Sequence, residues 1–249
     1  MIPMSGVRGA VLSLLGSRCQ ACGAAVAWQA DAHLRICLCP DCHSRLLPRQ
    51  GGYCPLCGEM VVDATAAPLV CGQCRRDPPP WSNLAFYGPY EGLLRELLTG
   101  FKFNNRLGLG RLLQALSVEA YHLHGGFQEQ PDAVVPVPLH ARRLVARGFN
   151  QSLEMGRLLA HEMLIPLKPG VLARRRHTPP QAGLPARERR QNVHNAFWAD
   201  EVAIQGRRIL LVDDIMTTGG TMRECARTLQ RSGAADVSVL VIARTTSGG

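Results

Sequence analysis

Three short apolar runs along the chain lack a regular alternation of polar positions. A continuous run of this kind predicts a strand that is buried on both faces, as in a parallel sheet covered by helices. The runs are residues 133–137, 209–212 and 237–243. Because helical patterns separate them, the chain is predicted to form an α/β fold in which helices flank a parallel sheet.

Leucines at helical spacing predict two of the helices that cover this sheet. They form two stripes that face a core, made of Leu93, Leu94, Leu97, Leu98 and of Leu109, Leu112, Leu113, Leu116. Another helix is predicted over about 151–163, where the Asn150 side chain can cap the first turn. A further helix is predicted near 221–231, between the second and third apolar runs.

Two adjacent carboxylates, Asp213 and Asp214, follow the apolar run 209–212. Ligands of open α/β sheets bind at the carboxyl ends of the strands, and carboxylates there can accept hydrogen bonds from the two hydroxyls of a ribose. The alternative interpretation is a strand that ends in a polar turn and has no ligand. Paired acids at a buried strand end are costly without a purpose, so the sequence favours a binding site.

The next residues, Thr217, Thr218, Gly219, Gly220 and Thr221, form a loop that leads into the predicted helix. Such a loop offers hydroxyls, backbone N–H groups and the N-terminus of a helix, all of which favour a phosphate. Acid pair and loop together predict a site for a phosphorylated sugar.

A second loop with binding chemistry follows the run 133–137. Pro136, Val137 and Pro138 restrict the backbone, and Arg142 and Arg143 come shortly after them. Restrained backbone N–H groups beside arginines can hold a pyrophosphate.

Nine of the ten cysteines lie before residue 75, and eight of them form four C-x-x-C pairs. This spacing lets two thiolates reach one metal, and two such pairs make a closed four-cysteine zinc site. Two structural zinc ions are therefore predicted in this segment, which has too small an apolar core to fold without them. With sequential pairing, the ligands are Cys19, Cys22, Cys39 and Cys42 for one ion, and Cys54, Cys57, Cys71 and Cys74 for the other.

The cysteine pattern leaves three alternatives open. The pairs can be interleaved between the two metals, and Cys37 can replace Cys39 as a ligand. A disulfide framework is the third alternative. The lack of a convincing secretion signal disfavours it, because cytosolic thiols stay reduced.

The chain of 249 residues carries a net charge of +9, and several of its arginines are clustered. Such a charge suits polyanions such as nucleotides, pyrophosphate or nucleic acid, although a solvated basic surface would look the same. The apolar stretches are too short to cross a membrane, and a cytoplasmic location is predicted. Three consecutive prolines after position 77 divide the chain into a zinc-binding domain, 1–78, and an α/β domain, 79–249. Residues 174–197 are long and polar for a simple connection, which predicts a flexible hood over the ligand.

The stretch from Ile209 to Thr221 resembles the binding motif for phosphoribosyl pyrophosphate (PRPP) in type I phosphoribosyltransferases. The resemblance implies the type I phosphoribosyltransferase fold, with Asp213 and Asp214 on the ribose 2′- and 3′-hydroxyls. It implies that residues 217–221 wrap the 5′-phosphate of PRPP bound with Mg²⁺, and that the phosphoribosyl group passes to a nitrogenous acceptor, which the sequence does not identify. No catalytic residue is assigned; the candidates are Arg142, Arg143 and Arg187. Thr217 stands where purine-salvage relatives have an aspartate, which makes a purine-salvage reaction less favoured.

Three further features together resemble the ComF/GntX family of phosphoribosyltransferase-like proteins. They are the cysteine-rich N-terminal segment, the stretch RGFNQS at 147–152 and the stretch from Thr178 to Phe197. Members are linked to DNA uptake or to the use of DNA as a nutrient, which implies single-stranded DNA or the DNA-uptake machinery as partners. Two hypotheses follow: a phosphoribosyltransferase, or a non-catalytic binding protein for single-stranded DNA or a protein partner that uses PRPP as a sensor ligand.

Overall fold

The computed structural model of the chain describes residues 17–26, 36–104, 106–124, 129–176 and 195–246. Its elements in chain order are β1 (Ser17–Arg18), β2 (Ala25–Val26), α1 (Pro40–Arg45), α2 (Gly72–Arg76), β3 (Leu84–Pro89), α3 (Gly92–Phe103), a 3-10 turn (Leu107–Leu109), α4 (Gly110–Leu123), β4 (Ala133–Pro136), α5 (Ala141–Arg147), α6 (Gln151–Glu162), β5 (Leu172–Arg174), β6 (Phe197–Ala199), α7 (Glu201–Ile204), β7 (Arg208–Met216), α8 (Gly220–Arg231) and β8 (Asp236–Arg244).

Four strands form the central sheet in the order β3-β8-β7-β4, and every neighbouring pair is parallel. Residues of β7 alternate between the two faces: Leu210 and Val212 face one core, whereas Ile209 and Leu211 face the other. All four are fully buried. The predicted parallel sheet is therefore confirmed, and its continuous apolar runs reflect burial on both faces.

Helices cover the two faces of the sheet. The first face packs against the leucine stripes of α3 and α4 and against Met155 and Leu159 of α6. The second face packs against α8 through Met222, Cys225 and Leu229. The helix predicted over 151–163 forms as α6, and the Asn150 side chain accepts from the Ser152 N–H at 3.1 Å, as expected of its N-cap.

The cysteine-rich segment packs directly against this α/β unit. Ala21 and Leu46 join the core that contains α3 and α4, and Arg106 Nη2 donates to the Ala21 carbonyl at 3.0 Å. Farther along, Tyr53 and Met60 pack against the core on the other face of the sheet. The boundary between residues 78 and 79 stays a prediction.

Three local expectations differ from the structure. β7 continues to Met216, so that Asp213 and Asp214 lie within the strand and not after its end. The residues before Arg143 form the start of a short helix, α5, where a loop was expected. Arg174 and Phe197, the ends of the expected hood, are paired in the ribbon β5–β6, whereas residues 177–194 lie outside the described part of the chain.

Candidate functional site

A cleft of about 360 Å³ opens at the carboxyl ends of β4 and β7. Parallel strands expose their carboxyl ends at one edge of the sheet, and ligand sites of open α/β sheets form there. The lining brings together residues that are far apart in the chain: Tyr90, Lys102, Phe103, Val137, Pro138, Leu139, Arg143, Arg147, Gln151, Ser152, Arg174, Asp213, Asp214, Ile215, Thr217 and Thr221.

Asp213 is held by donors of the chain itself. Ser152 Oγ donates to Asp213 Oδ1 at 2.7 Å, and the backbone N–H of Asp214 donates to the same oxygen at 2.9 Å. Burial, followed by the negative charge of Asp214, raises the pKa of Asp213 to about 7. The hydrogen bond from Ser152 opposes this shift, because it stabilises the charged form.

Asp214 forms an ion pair with Lys102, whose Nζ lies 2.8 Å from Asp214 Oδ2. The two side chains are 21% and 9% exposed, so the pair is largely shielded from solvent. Burial lowers the pKa of Lys102, but the charge and hydrogen bond of Asp214 outweigh burial, and the net shift is upward. The lysine is therefore charged and compensates the paired acids.

The loop at 217–221, called the phosphate loop below, joins β7 to α8. Gly219 has φ +74°, a left-handed conformation that glycine adopts without strain, and α8 begins at Gly220. Thr218 Oγ1 is buried and has no hydrogen-bond partner among the described residues. A pocket of about 60 Å³, lined in part by Gly219, Gly220 and Thr221, lies beside this turn. An unpaired Thr218 hydroxyl and the backbone N–H groups at the N-terminus of a helix suit a phosphate.

The second predicted loop also reaches the cleft. Val137 and Pro138 line it, whereas Pro136 is buried as the last residue of β4. The Val137 N–H donates to the Val212 carbonyl at 2.9 Å, and Asn150 Nδ2 donates to the Val137 carbonyl at 3.1 Å. These bonds fix the loop to β7 and to the N-terminus of α6.

The three candidate catalytic arginines have different positions. Arg143 lies on α5 and lines the cleft, and its Nη2 is buried with no hydrogen-bond partner in the described part of the chain. Arg142 is exposed and is not among the lining residues. Arg187 lies outside the described residues.

Several lining residues were not predicted as site residues. Lys102 gives no local signal, because it belongs to a helix whose sequence pattern indicates only a core stripe. Gln151 and Ser152 follow the N-cap Asn150, so their position at the start of α6 could have marked them. Gln151 is buried; its Oε1 accepts from Arg147 at 2.7 Å, and its Nε2 has no partner among the described residues.

The cleft has an excess of positive charge. Four cationic side chains, from Lys102, Arg143, Arg147 and Arg174, face two carboxylates. Burial lowers the pKa of Arg147 and Arg174, with a contribution from the positive charge of Arg143 in each case. Crowded cations at the carboxyl edge of a sheet suit a ligand with more than one negative charge.

Comparison with known proteins agrees with this geometry. The phosphoribosyl transferase domain family matches residues 110–249. The DNA utilization protein YhgH of Escherichia coli K12 is 38% identical over 84% of this chain and 90% of its own length. This chain belongs to the ComF family of phosphoribosyltransferase-like proteins.

Two other relatives of this ComF-family chain carry competence names. Competence protein F of Haemophilus influenzae is 32% identical over 83% of this chain and 96% of its own length. Competence protein ComFC of Bacillus subtilis is 27% identical over 84% of each chain. The predicted ComF/GntX resemblance and type I phosphoribosyltransferase fold are confirmed.

The cysteines of the ComF-family chain form two four-residue groups. Cluster 1 contains Cys19, Cys22, Cys39 and Cys42, and cluster 2 contains Cys54, Cys57, Cys71 and Cys74; within each cluster the sulfurs lie within 4.8 Å of one another. All eight are free thiols, so the disulfide alternative is wrong. The pairing is sequential, and Cys39, not Cys37, belongs to cluster 1.

The sulfur positions suit a tetrahedral metal. Cys22 Sγ and Cys39 Sγ are 3.8 Å apart, and Cys57 Sγ and Cys71 Sγ are 3.7 Å apart. Zinc–sulfur bonds of about 2.3 Å in tetrahedral geometry require sulfurs about 3.8 Å apart. Gly23 and Gly58 follow the first cysteine pair of each cluster and have positive φ, as knuckle turns require. Gly72, which follows Cys71, is not in such a turn and is the first residue of α2. Both clusters could therefore hold zinc.

In the described part of the chain, no helix has the length and apolar character needed to cross a membrane. The cytoplasmic location stays a prediction.

Proposed function

We propose that the cleft binds PRPP with Mg²⁺ and transfers its phosphoribosyl group to a nitrogenous acceptor. One observation carries this proposal: the acid pair, the phosphate loop and the loop at Val137 and Pro138 all line the same cleft. Each element suits a different part of PRPP: the acid pair the ribose, the phosphate loop the 5′-phosphate, and the loop at Val137 and Pro138 the pyrophosphate.

Asp213 and Asp214 would accept hydrogen bonds from the ribose 2′- and 3′-hydroxyls. Asp213 accepts a hydrogen bond from Ser152, and Asp214 accepts one from Lys102. A carboxylate has about four lone-pair sites, so each can take a ribose hydroxyl while it keeps its present partner.

The 5′-phosphate would lie in the phosphate loop. Thr217, Thr218, Gly219, Gly220 and Thr221 surround the start of α8, whose first backbone N–H groups have no partner within the helix. The orphaned Thr218 hydroxyl supplies a further donor, which explains why a hydroxyl is tolerated in this buried position.

The pyrophosphate would lie against Val137 and Pro138, beside Arg143 and Arg147, whereas Pro136 is buried in β4 and supports this loop from beneath. In the transfer, the bond between ribose C1 and the pyrophosphate oxygen breaks, and a bond from the acceptor nitrogen to C1 forms. Negative charge grows on the pyrophosphate as it leaves, and the two arginines stabilise that charge. Mg²⁺, which prefers carboxylate and phosphate oxygens, would neutralise part of the same charge when it is bound with PRPP.

Calorimetry with PRPP and Mg²⁺ tests the binding step. The wild-type chain is expected to bind, and Asp213→Ala/Asp214→Ala is expected to lose binding. Asp41→Ala, which removes an exposed carboxylate of α1, is the matched control and should bind as the wild type does. Isotope-labelled PRPP incubated with candidate bases should then yield a labelled nucleotide. Absence of wild-type binding would refute the proposal, whereas binding without product would leave PRPP as a sensor ligand.

A second candidate function is non-catalytic binding of single-stranded DNA or of a partner in DNA uptake. The net charge of +9 and the names of the relatives, a DNA utilization protein and a competence protein, favour it. Affinity for a single-stranded oligonucleotide should then fall steeply with added salt, because each phosphate contact releases counterions. Affinity that does not change with salt would contradict a role in DNA binding.

We also propose two structural zinc ions in clusters 1 and 2, and a division into a zinc-binding domain, 1–78, and a phosphoribosyltransferase-type domain, 79–249. The sulfur distances support the zinc ions. The proline run and the end of α2 at Arg76 support the boundary. The function of the hood at 174–197 belongs to the same proposal, and its central residues lie outside those described.

A further inference from the structure

Cluster 2 lies against the phosphate loop through Trp81. The indole is buried, and its Nε1 donates to the Leu56 carbonyl at 2.7 Å, inside the knuckle between Cys54 and Cys57. The far edge of the same ring reaches the loop: a methyl group placed on Gly219 would lie 3.9 Å from Trp81 Cη2. One rigid side chain therefore spans from the metal-binding knuckle to the turn before α8.

Arg244 makes a second connection from the same knuckle. Its Nε donates to the Cys57 carbonyl at 2.8 Å, and its Nη2 lies 3.3 Å from Glu59 Oε2. Arg244 pairs with Met216 at the ends of β8 and β7, and the next N–H, of Thr245, donates to the Met216 carbonyl at 3.1 Å. Met216 immediately precedes the phosphate loop, so this connection holds the loop at its other end.

A third contact reaches the first turn of α8. Arg223 donates to the carbonyls of Asp77 and Pro78, at 3.2 and 3.3 Å, just after cluster 2 ends. The Arg223 guanidinium lies 5.7 Å from the centre of the Trp81 ring. The backbone N–H of Arg223 donates to the Gly219 carbonyl at 2.8 Å. The start of α8 is thus tied to the segment that directly follows cluster 2.

We infer that cluster 2 supports the phosphate loop, with Trp81 and Arg244 as positioning residues that transmit the metal-held geometry of the knuckle to residues 216–219. The knuckle has little apolar core of its own, so its backbone carbonyls are fixed in place only while the four thiolates share a metal. Loss of metal from cluster 2 frees the Leu56 and Cys57 carbonyls, and the loop loses its two supports. Cluster 1 makes its contacts elsewhere, with α3 and with Arg106.

The inference rests on the proposed function only for the identity of the ligand. If the loop binds the 5′-phosphate of PRPP, metal at cluster 2 raises the affinity for PRPP without touching it. The effect on loop mobility does not depend on any ligand, and it can be measured in the free protein.

Hydrogen exchange of the full chain tests the coupling, with two matched cysteine variants. Cys57→Ser disrupts cluster 2 and Cys22→Ser disrupts cluster 1; each residue is the second cysteine of its knuckle. Cys57→Ser is expected to speed exchange of the amides at 217–221 by about tenfold or more, and Cys22→Ser to leave them unchanged. Amides at 209–212, in the middle of β7, report whether the fold itself has survived. Equal effects of the two variants on the loop, or no effect of either, would overturn the inference.

Trp81 variants separate positioning from metal binding. Trp81→Leu removes the aromatic ring, whereas Trp81→Phe keeps a smaller ring at this position, which loses the bond to Leu56 and reaches less far toward Gly219. Both should retain two zinc ions by elemental analysis, with loop exchange fastest in Trp81→Leu and partly restored in Trp81→Phe. Wild-type exchange in zinc-loaded Trp81→Leu would overturn the inference. Trp198→Leu, at a partly exposed tryptophan on β6, should behave as the wild type does.

Calorimetry with PRPP and Mg²⁺ on the same variants completes the test. Trp81→Leu and Cys57→Ser should raise the dissociation constant by about tenfold, and Trp198→Leu and Cys22→Ser should raise it much less. Unaltered affinity in Trp81→Leu would overturn the effect on the ligand. If the wild type itself does not bind PRPP, the proposed function fails, and the exchange measurement alone decides the coupling.

Discussion

Lys102 and Asp214 meet across the cleft, with 2.8 Å between Nζ and Oδ2. Lys102 stands at the last turn of α3, and Asp214 lies within the central strand β7. The ion pair therefore joins a helix that covers the sheet to the acid pair on which the proposed ribose site depends. It also explains how two adjacent carboxylates are tolerated in a shielded position, because an unpaired buried charge is costly.

Lys102→Met is expected to weaken PRPP binding by about tenfold, because the variant loses a cation that faces an anionic ligand. It should also lower the free energy of unfolding by about 1–3 kcal/mol at pH 8, since Asp214 then loses its partner. Calorimetry and urea denaturation measure the two effects. Lys168→Met removes a lysine that does not line the cleft and serves as the control. Tighter PRPP binding by Lys102→Met would show instead that the lysine blocks the ribose site.

Asp213 gives the stability a dependence on pH. Burial, followed by the charge of Asp214, raises its pKa from 3.8 to about 7. A carboxyl whose pKa is higher in the folded state binds more protons folded than unfolded between these values. Stability from this group is therefore full below about pH 4 and is lost as the pH rises to about 7.

Asp213→Asn should remove this dependence. Compared with the wild type, the variant should gain free energy of unfolding as the pH rises from 4 to 7, by no more than about 4 kcal/mol. Partial exposure of Asp213 reduces that limit. Urea denaturation at a series of pH values measures the difference, and a difference that does not change with pH would contradict the assignment. The same variant should bind PRPP more weakly, because one of the two acceptor oxygens becomes an NH2 donor and the negative charge is lost.

Thr218→Val tests the orphaned hydroxyl of the phosphate loop. Valine keeps the branched shape, and the removed hydroxyl has no partner among the described residues, so the free energy of unfolding should not fall. The dissociation constant for PRPP should rise by about tenfold, as expected for the loss of one hydrogen bond to a charged phosphate. Thr228→Val, on the helix α8 that follows the loop, is the control, because Thr228 donates to the Glu224 carbonyl and lies away from the loop. Unchanged affinity in Thr218→Val would place the phosphate elsewhere.

Gln151→Glu tests the buried amide of the cleft. The variant keeps an oxygen for Arg147 but replaces the unpartnered Nε2 donor with a second oxygen. The affinity for PRPP should fall by about tenfold, because a negative charge then faces the anionic ligand. Gln130→Glu adds the same charge at an exposed position and should have little effect. An equal loss in both variants would mean that total charge, and not this contact, decides affinity.

Zinc content distinguishes Cys39 from the neighbouring Cys37. The structure places Cys39 in cluster 1 and leaves Cys37 outside it. Elemental analysis of the purified chain should find two zinc ions in Cys37→Ser and one in Cys39→Ser, because three thiolates hold the metal more weakly than four. The opposite result would exchange the roles of the two cysteines.

Local patterns in the sequence predicted much of the fold and of the site. The runs around Val135, Leu211 and Val239 became buried parallel strands, because continuous apolar residues are required on a strand covered on both faces. Asn150 became the N-cap of α6, because its side chain competes for backbone N–H groups near its own position. The end of β7 was predicted too early, because pairing with β8 extends the strand through Asp213 and Asp214 to Met216. The hydrogen bonds of a neighbouring strand outweigh the polar character of those residues.

By itself, the sequence determined the elements whose signal lies in contiguous residues: the strand with its acid pair, the glycine-containing phosphate loop and the C-x-x-C knuckles. Backbone conformation and metal-ligand spacing are local properties, so a short stretch of residues suffices to specify them. Only the tertiary structure decided that Lys102 neutralises Asp214, that Ser152 holds Asp213, and that Trp81 joins cluster 2 to Gly219. These contacts join residues far apart in the chain, and they form only when the packing of helices and knuckles on the sheet brings their side chains within a few ångströms.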